Sequence, residues 1–279
     1  MATRRGPSVL LLDIDGTVVN YRLEVPPSAA DALRAVRGRG HLVYLCTGRS
    51  RAEIYPHLWD LGVDGLIGGN GSYVEDGDLV VFHQVLDPGV VQRAVDWMLE
   101  RDLGFYLECN AGLFGSDNLP EKAAAILGGP TPENVAFVRN GFPDMIYGAR
   151  EGRDDVNKIS FVLEDGIDLD ALARDYAGEA SIDTWSMTGN GPEFGEFGQL
   201  GIHKGGAVRR LAEHLGVTRD DLIGFGDARS DLELFAACGT SVAMGNAPDE
   251  VKAAATLVTD DVDENGLANA FVRLGLIEG

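Results

Sequence analysis

In the stretch Val9-Leu10-Leu11-Leu12-Asp13-Ile14-Asp15-Gly16-Thr17, four apolar residues run directly into two acids spaced i, i+2 and then a glycine. The run is too short for a helix and reads as a buried strand. Alternate side chains of an extended chain share a face, so both carboxylates are expected to leave the strand's C-terminal end on one side. In an open α/β sheet that end is where ligands bind. Two adjacent carboxylates repel, and one takes up a proton unless a bound divalent cation removes the penalty. The stretch therefore reads as a metal-assisted catalytic centre.

Outward from it, a helix is expected over 28–37, with Ser28 as N-cap and Gly38 and Gly40 ending it. A second buried strand, 42–46, runs into Thr47-Gly48-Arg49-Ser50. Strand, helix, strand is a βαβ unit with a right-handed parallel crossover. A helix over 51–61, bent or started by Pro56, precedes a third strand that ends in Gly68-Gly69-Asn70-Gly71. Residues 73–82 read as a hairpin.

From 84 to 185 the rhythm breaks. The pattern becomes helix (90–101), strand (105–108), loops dense in proline and glycine, strand (157–163), helix (169–177) and strand (181–186). This block reads as an inserted α+β domain. The βα alternation resumes at Lys204 with a helix to 215, a strand over 222–226 ending in Asp227, and a helix over 230–237. Short strands near 241–244 and 255–258 and a helix over 266–274 complete it. The fold class expected is α/β: a doubly wound parallel-sheet, Rossmann-like core made of residues 1–83 and 186–279, with 84–185 inserted.

Acids outnumber bases 44 to 23, a net charge of −21. That balance argues against nucleic-acid partners, which need basic patches, and against anionic membranes. No apolar run reaches the ~20 residues of a membrane span. The run after Arg4 and Arg5 ends at Asp13, too soon for a signal peptide. Cys46, Cys109 and Cys238 make no C-x-x-C pair, so neither a disulfide framework nor a zinc site is indicated. Free thiols fit a reducing cytoplasm, the expected location. The expected assembly is a monomer or a homodimer.

Polar residues suited to one site thus close several strands. They are Asp13 and Asp15, Thr47, Lys204 at a helix start, and Asp227 with Asp231. In this order and spacing the chain resembles the haloacid dehalogenase (HAD) superfamily. D-x-D-G-T is matched by Asp13 to Thr17 and the strand-end threonine by Thr47. The helix-opening lysine is matched by Lys204, and G-D-x-x-x-D by Gly226, Asp227 and Asp231. The insertion falls between the second and third motifs, where the Cof-type branch (class IIB) carries a large α/β cap. Asn70-Gly71, Asn157-Lys158-Ile159 and Ala243-Met244-Gly245-Asn246-Ala247 are similar to that branch as well.

The resemblance implies a phosphatase for a small phosphorylated metabolite, and the chemistry of phosphoryl transfer points to the same roles. A nucleophile, charge neutralisation and a proton for the leaving group are needed. Asp13 is the expected nucleophile, forming an aspartyl-phosphate, and Asp15 the general acid and base. In the family, Mg2+ is held by the side chains matching Asp13 and Asp227 and by the backbone carbonyl of Asp15. Thr47, the Gly48 amide and Lys204 are expected to bind phosphate. Asp231 would orient Lys204 or a water of the metal. Where the branch has Asn before the last Asp, this chain has Ser230, which implies a weakened or water-mediated phosphate contact.

Gly68-Gly69-Asn70-Gly71 matches neither G-x-G-x-x-G nor a P-loop, so nucleotide-loop readings are set aside. Asn70 and Gly71 stand as candidate substrate contacts, and 108–118 and 139–158 as candidates to line the entrance. Trp97, Tyr106 and Trp185 read as packing residues, and Arg49 as a structural ion-pair partner. Sugar phosphates lead among substrates on family frequency; pyridoxal phosphate and flavin mononucleotide are alternatives. A phosphomutase on the same fold and a non-catalytic binding module are the competing functions.

Overall fold

The computed structural model describes residues 6–148, 153–186 and 191–278. Arg4, Arg5 and residues 149–152 of the 139–158 stretch lie outside the described residues. In chain order the strands begin with β1 (Val9–Leu12), β2 (Leu42–Cys46), β3 (Gly65–Gly68), β4 (Tyr73–Asp76) and β5 (Leu79–His83). Then come β6 (Phe105–Cys109), β7 (Leu113–Gly115), β8 (Ile146–Tyr147), β9 (Val156–Val162), β10 (Ser181–Trp185) and β11 (Phe194–Gly198). The last are β12 (Leu222–Gly226), β13 (Thr240–Ala243) and β14 (Leu257–Val258).

Among the described residues, eight strands form a sheet in the order β14-β13-β12-β1-β2-β3-β4-β5. Its first six are parallel, and β4 and β5 add an antiparallel hairpin. The chain winds from β1 to β3 in one direction and from β12 to β14 in the other. The strand order therefore reverses between β1 and β12, the place where open α/β sheets bind ligands. All four β1 side chains are buried, split between two faces by the pleat. Leu10 and Leu12 pack with the helices Pro27–Gly38 and Gly266–Arg273. Val9 and Leu11 pack with Lys204–Leu215 and Leu232–Ala237. Each such side chain contributes about 1.5–3 kcal/mol, which explains the unbroken apolar run.

Two local expectations change. Ser28 lies inside its helix rather than capping it, because Pro27 occupies the first turn, where a missing N–H costs nothing. Residues 51–61 form two single turns, Arg51–Glu53 and Pro56–Trp59, since Pro56 cannot donate into a continuing helix.

The chain divides into two compact units. One contains the residues up to Arg49, Ile54–His83 and Ile202–Gly279; the other contains Ser50–Glu53 and Gln84–Gly201. The second unit holds a six-stranded sheet, β10-β11-β9-β6-β7-β8. The helices Pro88–Glu100 and Leu169–Asp175 cover one face, and Leu119–Ile126 and Pro132–Gly141 pack on the other. Trp97 packs edge-on against Phe161 and Phe197, and Trp185 stacks on Phe194.

The sequence boundary at 185/186 is corrected here. It would cut between β10 and β11, which pair along their length, so the inserted unit extends to Gly201. β11 is hard to read because Gly195 interrupts it. A Cβ at Gly195 would lie 2.2 Å from the Phe161 ring, so the aromatic of the neighbouring strand fills the space a side chain would need.

Candidate active site

Asp13 follows β1, and its N–H donates to Phe225 O (3.0 Å), which carries the β1–β12 pairing one residue further. Thr47 follows β2 and is held in the same way to Ile67 O (2.9 Å). Asp227 follows β12. Lys204 opens the helix Lys204–Leu215, whose Gly206 N–H is accepted by the His203 ring. Residues remote in sequence thereby reach adjacent strand ends.

Lys204 Nζ donates to Asp13 Oδ1 at 2.6 Å and to Asp231 Oδ1 at 2.7 Å. One carboxylate oxygen from each of Asp13, Asp227 and Asp231 lies within 4.8 Å of the others, and all three residues are buried. Asp231 Oδ2 also accepts the N–H groups of Asp227 (3.1 Å) and Ala228 (3.0 Å), so both its oxygens are engaged. Burial, then repulsion from Asp231, pushes the Asp13 carboxyl well above its ordinary value, against the pull of Lys204. Burial raises Asp227 to about 6, opposed by the Tyr21 hydrogen bond. Burial disfavours the charged form of Lys204, but Asp13 and Asp231 outweigh it and hold the ammonium charged. Three carboxylates facing one ammonium leave excess negative charge out of water. Hard oxygen donors with that charge fit a divalent cation such as Mg2+.

Asp15 goes elsewhere. The strand ends at Leu12, and Val18 and Val19 N–H turn back onto Ile14 O. The Asp15 carboxylate is exposed and gripped by Arg49 through Nε (2.9 Å) and Nη2 (2.6 Å). The expectation of two carboxylates side by side is therefore corrected: the acids grouped with Asp13 are Asp227 and Asp231. Gly16 makes the turn possible. Its φ is +79°, and a Cβ there would sit 2.1 Å from Asp227 Oδ2.

Thr47 is buried, and its Oγ1 accepts the Arg49 N–H at 3.1 Å. Asn70 is left-handed, donates its N–H to Thr47 O (3.1 Å), and lays its side chain against Gly48. Gly71 lies so close to the His203 carbonyl that a Cβ would come within 2.6 Å of it. Asn70 and Gly71 thus join the Thr47 loop to the start of the Lys204 helix. Ser230 is exposed in the turn Arg229–Asp231. Cys46 is buried, and burial pushes its thiol up, which makes it inert.

One contact has no sequence signal. Tyr21 O–H donates to Asp227 Oδ2 at 2.8 Å, although the residue is 71% exposed. Asn246 Nδ2 reaches the same oxygen (3.2 Å) and Gly16 O (2.9 Å), and Thr17 Oγ1 approaches Asp227 Oδ1 at 3.3 Å. A tyrosine in a loop matches no motif, whereas Asn246 lies in one. Among the described residues no helix is long and apolar enough to cross a membrane.

A family model for haloacid dehalogenase-like hydrolases matches residues 10–271. The chain is 25% identical over 276 residues to the Bacillus subtilis 5-amino-6-(5-phospho-D-ribitylamino)uracil phosphatase YwtE, covering 93% of this chain and 95% of the relative. A solved protein from Geobacillus kaustophilus superposes with a TM-score of 0.83 at 25% identity, covering 98% of this chain and all of the other. The HAD subclass IIB sugar phosphatase BT4131 shares the fold, with a TM-score of 0.76 at 23% identity over 97% of this chain and all of that one.

Proposed function

The chain belongs to the haloacid dehalogenase-like hydrolases, and from that membership and the buried acid group we propose that it is a Mg2+-dependent phosphatase of small phosphorylated metabolites. The observation that carries the reading is Lys204 bridging Asp13 and Asp231 beside Asp227, all buried at the switch point of the sheet. Asp13, the carboxylate side chain of Asp227 and the backbone carbonyl of Asp15 would hold the cation. When bound, it would neutralise the charge of the acid group and of the phosphate.

Asp13 attacks phosphorus as the bond to the leaving oxygen breaks, and Asp15 gives that oxygen its proton. Water then attacks the aspartyl-phosphate and passes a proton to Asp15, and the Asp13–phosphorus bond breaks to release phosphate and restore the carboxylate. Arg49 grips Asp15 by two N–H groups and so holds its carboxyl group in place for the proton steps. Lys204 neutralises the Asp13 side of the site, and Thr47 and the Gly48 amide supply phosphate donors, with Ser230 at the edge. Asp231 holds Lys204 in place.

Relatives named for a phosphoribityl compound and for sugar phosphates support sugar phosphates as the leading substrates. The test is Asp13→Asn with p-nitrophenyl phosphate and Mg2+, followed by a panel of phosphate esters. Phosphate release should disappear in the variant; undiminished release would refute the nucleophile. Transfer of phosphoryl to a hexose phosphate, with no free phosphate, would replace the hydrolase by a mutase.

A further inference from the structure

We infer that Tyr21 is a positioning residue for the metal site: its hydroxyl clamps Asp227 Oδ2 so that Oδ1 is presented to the cation. The inference rests on the metal-dependent reading above and assigns this chain a determinant of metal affinity outside the family motifs.

A carboxylate oxygen accepts about two hydrogen bonds. Tyr21 and Asn246 both donate to Asp227 Oδ2, and the close approach of Gly16 shuts the remaining side. Among the described residues, Oδ1 carries only the long bond from Thr17. One oxygen is thus fastened by donors and the other keeps its capacity for a cation. Fixing a ligand's orientation in this way is how outer partners of a metal site act.

The loop that delivers Tyr21 is itself held in place. Asn20 is buried, and its Oδ1 accepts the N–H groups of Arg22 and Glu24 (both 3.0 Å). Its Nδ2 donates to Asp263 (2.8 Å), and Leu23 takes a left-handed turn. The short polar bonds of this Asx-type turn set the backbone on either side of Tyr21. An aromatic ring that is largely exposed gains little from burial, so the hydroxyl contact is what the residue contributes.

The test is Tyr21→Phe, which removes one oxygen and leaves the ring. Mg2+ binding is measured by calorimetry and by tyrosine near-UV difference absorbance, together with thermal melts without metal. The expected result is a Kd about tenfold weaker, the lower end for outer-partner losses. The melt should be unchanged, the Mg2+-induced tyrosine signal lost, and kcat recovered at saturating Mg2+. Equal or tighter Mg2+ binding in the variant overturns the role of Tyr21 while leaving the metal site standing. Absence of Mg2+ binding to the unaltered protein overturns the metal-dependent reading itself, and the inference with it.

Discussion

Lys204 Nζ lies 2.6 Å from Asp13 Oδ1 with both side chains buried, although 191 residues separate them in the chain. The ammonium is shared with Asp231. Removing one partner from a buried charge group leaves the rest uncompensated, at about 3–5 kcal/mol. Lys204→Met should therefore lose that much stability in urea denaturation and lose phosphatase turnover as well. A stability change below about 1 kcal/mol would mean that water or rearrangement satisfies Asp13 and Asp231 without the lysine.

Arg49 holds Asp15 through two hydrogen bonds. If that grip positions the proton donor, its loss matters most where the leaving group needs a proton. Arg49→Met should lower kcat about tenfold on alkyl phosphates, a fraction of the roughly 10²–10⁴ supplied by acid–base groups. The effect on p-nitrophenyl phosphate should be smaller. Equal losses on both substrates would assign Arg49 to phosphate binding instead.

Gly16 tolerates no side chain. Ala there would adopt a left-handed conformation costing about 1–2 kcal/mol, and its Cβ would collide with Asp227 Oδ2. Gly16→Ala should abolish Mg2+ binding as well as turnover. Retained Mg2+ affinity in calorimetry would show that Asp227 can move aside without losing the cation.

The second unit contains its own buried charges. Lys158 Nζ bridges Glu196 (2.8 Å) and Glu108 (3.2 Å), and Ser160 donates to Glu108. Burial, then Glu53, pushes the Glu108 carboxyl well above its ordinary value. Its raised folded value favours folding below the ordinary value near 4.5, and that contribution is lost as pH rises through the folded value. Glu108→Gln should gain stability relative to the parent between pH 5 and 8, by at most about 1.4 kcal/mol per pH unit for one proton. Denaturation curves at both pH values check this; parallel pH dependences in the two proteins would refute it.

The family and core fold of this protein were readable where the local sequence dictates the element. The buried run Val9–Leu12 had to be a strand, and an acid directly after it had to sit at a strand end. The spacing of Thr47, Lys204, Asp227 and Asp231 disclosed the family, and the alternation of strands and helices disclosed the doubly wound core. Side-chain partners were not readable, because pairing is decided by which strands become neighbours. Asp13 and Asp15 are two residues apart yet diverge, since the chain turns at Gly16 and Arg49 captures the second acid. Asp13 and Lys204 come together only when β1 lies beside β12 and the helix Lys204–Leu215 packs on Val9 and Leu11. Strand β11 and the Tyr21 contact were hidden for the same reason. Gly195 is defined by a ring on the next strand, and Tyr21 by a carboxylate 206 residues away. Periodicity records what a residue needs from its neighbours in sequence; tertiary packing alone decides which distant group meets it.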